Sequence, residues 1–430
     1  MGHPPHFLSG SDYFHLLLDK QMRQRGLPGN ISRIHLQLAQ SANLQSIAAQ
    51  LRANATLTQV YRLRIHQQLF RIPQWIEADS PLTSAVVLHP KQLSPEAFER
   101  EVMQAIVPER EQLVRIDLAQ TTDGAHHAVV AMHHVLFDHK GMQLFLSALA
   151  QTNDAESPTS FFAPSATPST WTDLAQAFRA TLFAFRSGGW KLASLIHRNT
   201  PLNSPAHYLT IPLTEAETTH ADTLAMQCGG ASGRSAFYLA ALLMAVRHVF
   251  AQRNEFPPYY WVPVPHDMRK KGANGHLVGN ALSFFYFKVY DHQLTSIADA
   301  VAAIQQQMML QVRQKQPWKL EALLRVFRRV PLPLMEAMMH LSSGGKVSTF
   351  AFSDLGEQRH TIRHFCGAEV LQIAHIPPVP CPPGLSVVLA RQNGHLHLIL
   401  GSLPQVLTSE EVALLHKHFK SLVLRDLNSK

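Results

Sequence analysis

The chain has 430 residues, of which 46% are hydrophobic, the make-up of an ordinary globular protein and not of a disordered or fibrous one. That length exceeds what a single core fills, so two domains are expected. Lys and Arg number 38 against 30 Asp and Glu, and the net charge of +8 favours anionic partners without choosing among cofactors, carrier proteins, membranes and nucleic acids.

Three cysteines, Cys228, Cys366 and Cys381, form no CxxC pair, which argues against a disulfide framework or zinc ribbon and fits a reducing compartment. The opening MGHPPHFLSGSDYF has no basic segment followed by an apolar one, so no signal peptide is read there. The most apolar helical stretch, Ser235 to Ala251, is interrupted by Arg247 and is shorter than the roughly 20 residues a spanning helix needs. A cytoplasmic protein, soluble or peripheral at the membrane, is the expectation.

In chain order, Ser9 to Asp12 can cap a first helix, Tyr13 to Met22. Ile31 to Leu38 alternates as a strand, Leu44 to Ala53 follows as a helix, and Val60 to Ile65 reads as another strand. Ser84 to Leu88 and Val114 to Leu118 add strands, and Asp123-Gly124 signals a turn that leaves His126-His127 in a hairpin. From Ala128 the small and apolar residues predict a buried strand. From Gly141 a helix sets Leu144, Phe145, Ala148 and Leu149 on one face.

Between that strand and helix lie His133-His134-Val135-Leu136-Phe137-Asp138. An imidazole titrates near neutrality and can take a proton from a hydroxyl or amine and return it. Neighbouring residues of a strand face opposite ways, so at most one of His133 and His134 faces a pocket and the other packs. Asp138 either orients the imidazole or is tied to an arginine elsewhere. A helical path through this stretch would instead let His134, Asp138 and His139 share a face and bind a divalent metal.

Residues 151–169 are rich in Pro, Ser and Thr and mark a linker. The domains are expected at 1–165 and 166–430. Trp171 to His197 resumes as a helix with Phe178, Leu182 and Phe185 at helical spacing, predicted to pack across both halves. Ser232 to Ser235 opens the long helix to Ala251. Tyr259 to Pro265 is a strand, followed by Arg269-Lys270-Lys271, Gly279-Asn280 and a strand from Ser283 to Tyr290. Residues 311–341 read as a basic amphipathic helix carrying Arg313, Lys315, Lys319, Arg325, Arg328 and Arg329, interrupted at Pro331-Leu332-Pro333. A solvated face over a core stripe is the default there, and docking on anionic lipid or carrier protein is the functional alternative. Ser348 to Gly356 reads as a strand entering a turn. Asn393-Gly394 joins two strands, and Thr408 to Glu411 is a capping box for a last helix with Val412, Leu415, Phe419 and Leu422 on one face.

HHVLFD at 133–138 fits the HHxxxD signature, and the chain resembles the CoA-dependent acyltransferase superfamily of chloramphenicol acetyltransferase, condensation domains, BAHD enzymes and wax ester synthase/diacylglycerol acyltransferases. The usual form continues Asp-Gly, whereas here Asp138-His139-Lys140-Gly141 follows. Ser11-Asp12, Pro73-Gln74-Trp75, Val262-Pro263-Val264 with Arg269 and Gly279-Asn280, Asp354 with Gly356, and the terminal hairpin and helix extend the likeness in consistent order, nearest to the wax ester synthase type.

The resemblance implies an α/β fold of two chloramphenicol-acetyltransferase-like lobes, mixed sheets flanked by helices, with a channel between them. It implies a stand-alone acyltransferase of lipid or secondary-metabolite biosynthesis. His134, of the pair His133 and His134, is then the general base, and Asp138 forms an architectural ion pair with Arg269. Ser353, in a motif with Asp354 and Gly356, is a candidate oxyanion donor, and Gly141, Gly279 and Asn280 shape the motif turns. No metal or redox cofactor is expected. The donor is an acyl thioester of CoA or of an acidic carrier protein, the acceptor a hydrophobic alcohol or amine, and nucleic acid is not a partner. Amide formation by a free-standing condensation enzyme, or a non-catalytic scaffold binding a carrier protein or membrane, are the alternatives.

Overall fold

A computed structural model describes residues 5–78, 85–104, 112–150, 158–163, 171–187, 192–196, 204–230, 233–269, 275–343, 345–358, 362–392 and 394–425. The first part of the chain forms β1 (His6–Phe7), α1 (Gly10–Arg23), β2 (Ile31–Leu38), α2 (Leu44–Ala53), α3 (Ala55–Tyr61), β3 (Leu63–His66), β4 (Gln74–Glu77), β5 (Val86–Leu88), α4 (Pro95–Phe98), β6 (Val114–Gln120), β7 (His126–His133), α5 (His139–Ala150) and β8 (Ser160–Phe162). There follow α6 (Trp171–Ser187), β9 (His207–Pro212), α7 (Glu215–Gly229), α8 (Arg234–Gln252), β10 (Tyr259–Asp267), β11 (His276–Val278), β12 (Leu282–Tyr290), α9 (Ile297–Arg313), α10 (Gln316–Phe327), α11 (Leu332–Ser343), β13 (Ala351–Gln358), β14 (His364–Phe365), β15 (Ala368–Ile376), β16 (Leu385–Gln392), β17 (His395–Ser402) and α12 (Ser409–Val423).

The first lobe is built on a six-stranded sheet of order β14-β15-β2-β7-β6-β5. Along β7 the side chains alternate. Ala128, Val130 and Met132 face a core shared with α1, α2, α3 and α5, while Val129 packs with Phe98 and Val102 on the other face. The second lobe is built on a sheet of order β13-β16-β17-β9 beside the antiparallel pair β10-β12. Its core is threaded by α8, which is long and apolar enough to cross a bilayer yet has 67% of that stretch buried inside the protein. Leu415, Phe419 and Val423 of α12 close the same core, and the Thr408–Glu411 capping box starts that helix.

Several expectations are corrected. Val60 and Tyr61 are helical, because Asn54 accepts the N–H of Leu57 and caps α3, so the following strand begins only at Leu63. The helix expected from residue 311 is two helices: α9 ends at Arg313, Lys315 is left-handed with φ 52°, and Pro317 sits in the first turn of α10. Arg328 of that segment is fully buried, donating to Leu8 O at 2.9 Å, so the basic face is not uniformly solvated. The turn expected at Asp354 to Gly356 is a bulge within β13, whose pairing with β16 shifts between Asp354 and Glu357 where Gly356 has φ 63°. Within the linker, β8 pairs in parallel with β11, and residues 151–157 and 164–170 lie outside the described ones, as does Asn393 of the last hairpin. Strand β15 returns to pair with β2, so the sheets do not divide at residue 165.

Helix α5 lies so close to β11 that a Cβ on Gly141 would stand 2.7 Å from the Leu277 carbonyl oxygen. Gly141→Ala is expected to cost about 1–3 kcal/mol by forcing the two apart. Denaturant unfolding with an unchanged midpoint would contradict this close approach.

Candidate active site

The turn from β7 into α5 holds both histidines in unlike surroundings. His133 is fully buried. Its Nδ1 accepts the N–H of Val135 at 3.1 Å, and its Nε2 lies 3.2 Å from Asp19 Oδ1 of α1, a close contact rather than an aligned hydrogen bond. Asp19 also accepts the N–H of Asn30 at 2.7 Å and Arg23 Nε at 2.6 Å. Burial opposes its charge, but His133 and Arg23 hold the carboxyl well below the usual carboxylate range.

His134 is fixed by its backbone. Its N–H donates to Asn30 O at 2.9 Å, and its carbonyl accepts Asn280 Nδ2 at 3.0 Å. Its ring stacks on His15 with centroids 4.0 Å apart and planes 10° apart. Asn30 Nδ2 in turn donates to His15 Nδ1 at 3.0 Å. Burial pushes the His15 pKa far down, helped by the imidazoles of His134 and His133. Burial also lowers His134, against the pull of its own carbonyl and of Asp138. Both rings are therefore neutral at pH 7, the state in which two imidazoles stack without charge repulsion. His134 Nδ1 is shut off from solvent, which leaves Nε2 as the open ring atom.

The Asp138 carboxylate does not serve the imidazole. Oδ2 receives Arg269 Nη1 at 2.8 Å and the N–H of Ala281 at 3.0 Å; Oδ1 receives Arg269 Nη2 at 3.0 Å and the N–H of Gly141 at 3.1 Å. Burial works against the charge, yet these donors, Arg269 first, hold its pKa below the usual value. Gly279, at φ 105°, donates its N–H to Leu136 O at 2.7 Å. Asn280 gives its N–H and Nδ2 to Asp12 Oδ1 at 2.7 and 2.8 Å, while its carbonyl accepts Ser11 Oγ at 2.9 Å. One lobe is thus pinned to the other on both sides of the histidine turn.

His134 opens onto a cavity of about 810 Å³ between the lobes. Its wall is mainly apolar, with Phe14, Trp261, Phe284, Leu320 and Leu323 prominent, and Ser353 and Asp354 also line it. Asp354 is engaged by Ser235 Oγ and by the N–H of Gly356 at 3.0 Å, which leaves Ser353 as the uncommitted hydroxyl of that motif. Gly356 and His133 are not in the wall. His139 is, 5.8 Å ring to ring from His375, a neutral imidazole pushed down to about 3 by burial and by the imidazoles of His139 and His134. Among the described residues no group of three His, Cys, Asp or Glu is placed to hold a metal.

Sequence reasoning missed His15, Asp19, Asn30 and His375. Asp12, His15 and Asp19 recur three and four residues apart, one helical face, and that spacing was a usable signal. Asn30 and His375 carry none.

Losing one partner of a buried ion pair strands the other charge, so Arg269→Ala should destabilise the fold by about 3–5 kcal/mol near neutral pH. Because folding depresses the Asp138 pKa, its contribution is present above the unfolded carboxylate value of about 3.9 and is lost as pH falls through the folded one. Urea unfolding of both proteins across pH 3–7 reads this out, and equal midpoints at neutral pH would remove the pair from that role.

No family model matches the sequence, and no curated protein matches it. Solved structures do. The first condensation domain of the calcium-dependent antibiotic synthetase, in complex with a substrate analogue, aligns with a TM-score of 0.67 and 16% identity over 99% of this chain and 96% of that one. The trichothecene 15-O-acetyltransferase of Fusarium sporotrichioides aligns with a TM-score of 0.71 and 13% identity over 98% and 95%. A mutant starter condensation domain of rhizomide synthetase, in complex with C8-CoA, aligns with a TM-score of 0.65 and 14% identity over 97% and 95%. At these identities the likeness establishes the fold: the chain has the two-lobed architecture of condensation domains and of that acetyltransferase.

Proposed function

We propose that the protein is an acyltransferase that moves an acyl group from a CoA or carrier-protein thioester to the hydroxyl of a hydrophobic acceptor, with His134 as general base. The observation that carries this is a neutral imidazole, sealed at Nδ1 and open at Nε2, at the wall of an apolar cavity of about 810 Å³ between the lobes. His134 Nε2 takes the hydroxyl proton as the oxygen attacks the thioester carbonyl carbon. The tetrahedral oxyanion collapses, the C–S bond breaks, and the imidazolium returns the proton to the departing thiolate. Holding acceptor and thioester together in one cavity supplies much of the rate by proximity.

Ser353 is the hydroxyl proposed to donate to the oxyanion. Asp138 and Arg269 position the turn and transfer no proton. His133 is read as a positioning residue beside Asp19, not as a group that touches substrate. The apolar wall supports a hydroxyl over an amine, since an ammonium would have to be desolvated and deprotonated before it could react. A starter condensation domain of the same fold binds C8-CoA, which fits an acyl thioester donor here.

Release of free thiol from a panel of acyl-CoAs with long-chain alcohols tests the proposal. His134→Ala should lose about 10²–10⁴-fold in rate with little change in melting temperature, and retained activity would sink the mechanism. Because burial lowers the His134 pKa, the basic form persists to lower pH than in an ordinary histidine, so the acid limb of kcat/KM should fall below about pH 6.5. A limb above that value would mean that another group titrates.

A further inference from the structure

The face of α6 turned away from the cavity is apolar and has nothing over it among the described residues. Asp173, Ala177 and Ala180 form the inner face, Asp173 against Arg325 and the alanines in a cluster with Leu320, Leu323 and Leu324 of the cavity wall. Because Asp173 in the first turn of α6 meets Arg325 in the last turn of α10, the two helices run antiparallel. At positions offset by helical spacing, Trp171 is 87% exposed and Phe178 72% exposed, with Leu174 between them. Phe178 therefore does not pack across the two halves as its spacing predicted.

Charge around this face is one-sided. Arg179 of α6, Arg313 at the end of α9, and Lys315 and Lys319 at the start of α10 take part in none of the ion pairs found among the described residues, whereas Arg325 pairs with Asp173 and Glu321. The nearby acids are already used, since Asp173 and Glu321 are both engaged by Arg325. Trp318 adds a further half-exposed aromatic beside Lys319. Exposed aromatic side chains on a helix that also carries Arg179 next to Phe178, beside a helix that begins with Lys315 and Lys319, suit the boundary between acyl chains and anionic headgroups. A folded protein partner would need a groove to receive Trp171 and Phe178, whereas a bilayer yields to them.

We propose that the outer face of α6, with the first turn of α10, docks on an anionic lipid bilayer. The inner face of the same helix covers the cavity, with Thr181 in its wall, so docking brings the cavity beside the phase in which a hydrophobic alcohol is concentrated. This purpose rests on the acyl-transfer reading; the docking itself does not.

The test is co-sedimentation of the full-length protein with vesicles of phosphatidylcholine alone or mixed with phosphatidylglycerol. The protein is expected to follow the mixed vesicles, less so the neutral ones, and to be released as salt rises. The double variant W171A/F178A should bind at least about tenfold more weakly, and R179E/K319E should lose the preference for phosphatidylglycerol. Failure of the natural chain to sediment, or unchanged binding of W171A/F178A, overturns the proposal. So does binding to an acidic acyl carrier protein, but not to vesicles, that the same substitutions abolish. Thiol release from a water-soluble short-chain acyl-CoA should be the same in W171A/F178A as in the natural chain. If the natural chain releases no thiol but still sediments, acyl transfer fails and docking stands.

Discussion

A carboxylate buried where two lobes meet must be neutralised and fully hydrogen-bonded, and the arrangement around Asp138 meets that requirement from both lobes at once. The first lobe supplies the carboxylate and the N–H of Gly141. The second supplies the Arg269 fork and the N–H of Ala281. A few residues away, Asn280 of the second lobe is held by Asp12 and Ser11 of α1 and itself holds the carbonyls of His134 and Val135. A buried pair of this kind is favourable only when most of its remaining lone pairs and protons are satisfied; here the carboxylate oxygens are all engaged and Arg269 Nε alone of the fork is buried without a partner, so the lobes are held together at this point. The histidine turn lies between the two clamps, so its backbone has little freedom.

The electrostatics of the site follow from that fixity. Among the described residues four imidazoles, His15, His134, His139 and His375, line one mainly apolar cavity. Burial lowers the pKa of His15, His134 and His375, and their mutual proximity adds to it for His15 and His375. A proton taken up by His134 would find no carboxylate within hydrogen-bonding reach among the described residues, since Asp138 is turned to Arg269 and Asp19 to His133. Such a ring binds a proton weakly.

Local chemistry made much of this legible in the sequence. The period-two run of β2, the capping box at Thr408 and the turn glycines locate their elements closely, and Asp138, Arg269, Gly279 and Asn280 lie together in the structure. Information that depends on distant chain was not legible. Nothing local distinguishes Val60-Tyr61 as helix end from strand start without knowing that Asn54 caps α3. The burial of Arg328 against Leu8, some three hundred residues away, cannot be read from a basic amphipathic pattern. Neither can the exposure of Phe178, whose spacing suits either face of a helix.

Strand β15 carries a consequence for how the chain assembles. It fills the position beside β2 in the first lobe's sheet, yet it is encoded more than three hundred residues later. A ribosome adding about 5–20 residues per second would hold β2 with an unpaired edge for some tens of seconds before its neighbour emerges. An open strand edge is a template for pairing with other chains. Newly made chains would therefore pass through a stage in which nascent-chain chaperones matter, and any early translational stop before residue 368 would yield a product with that edge permanently open.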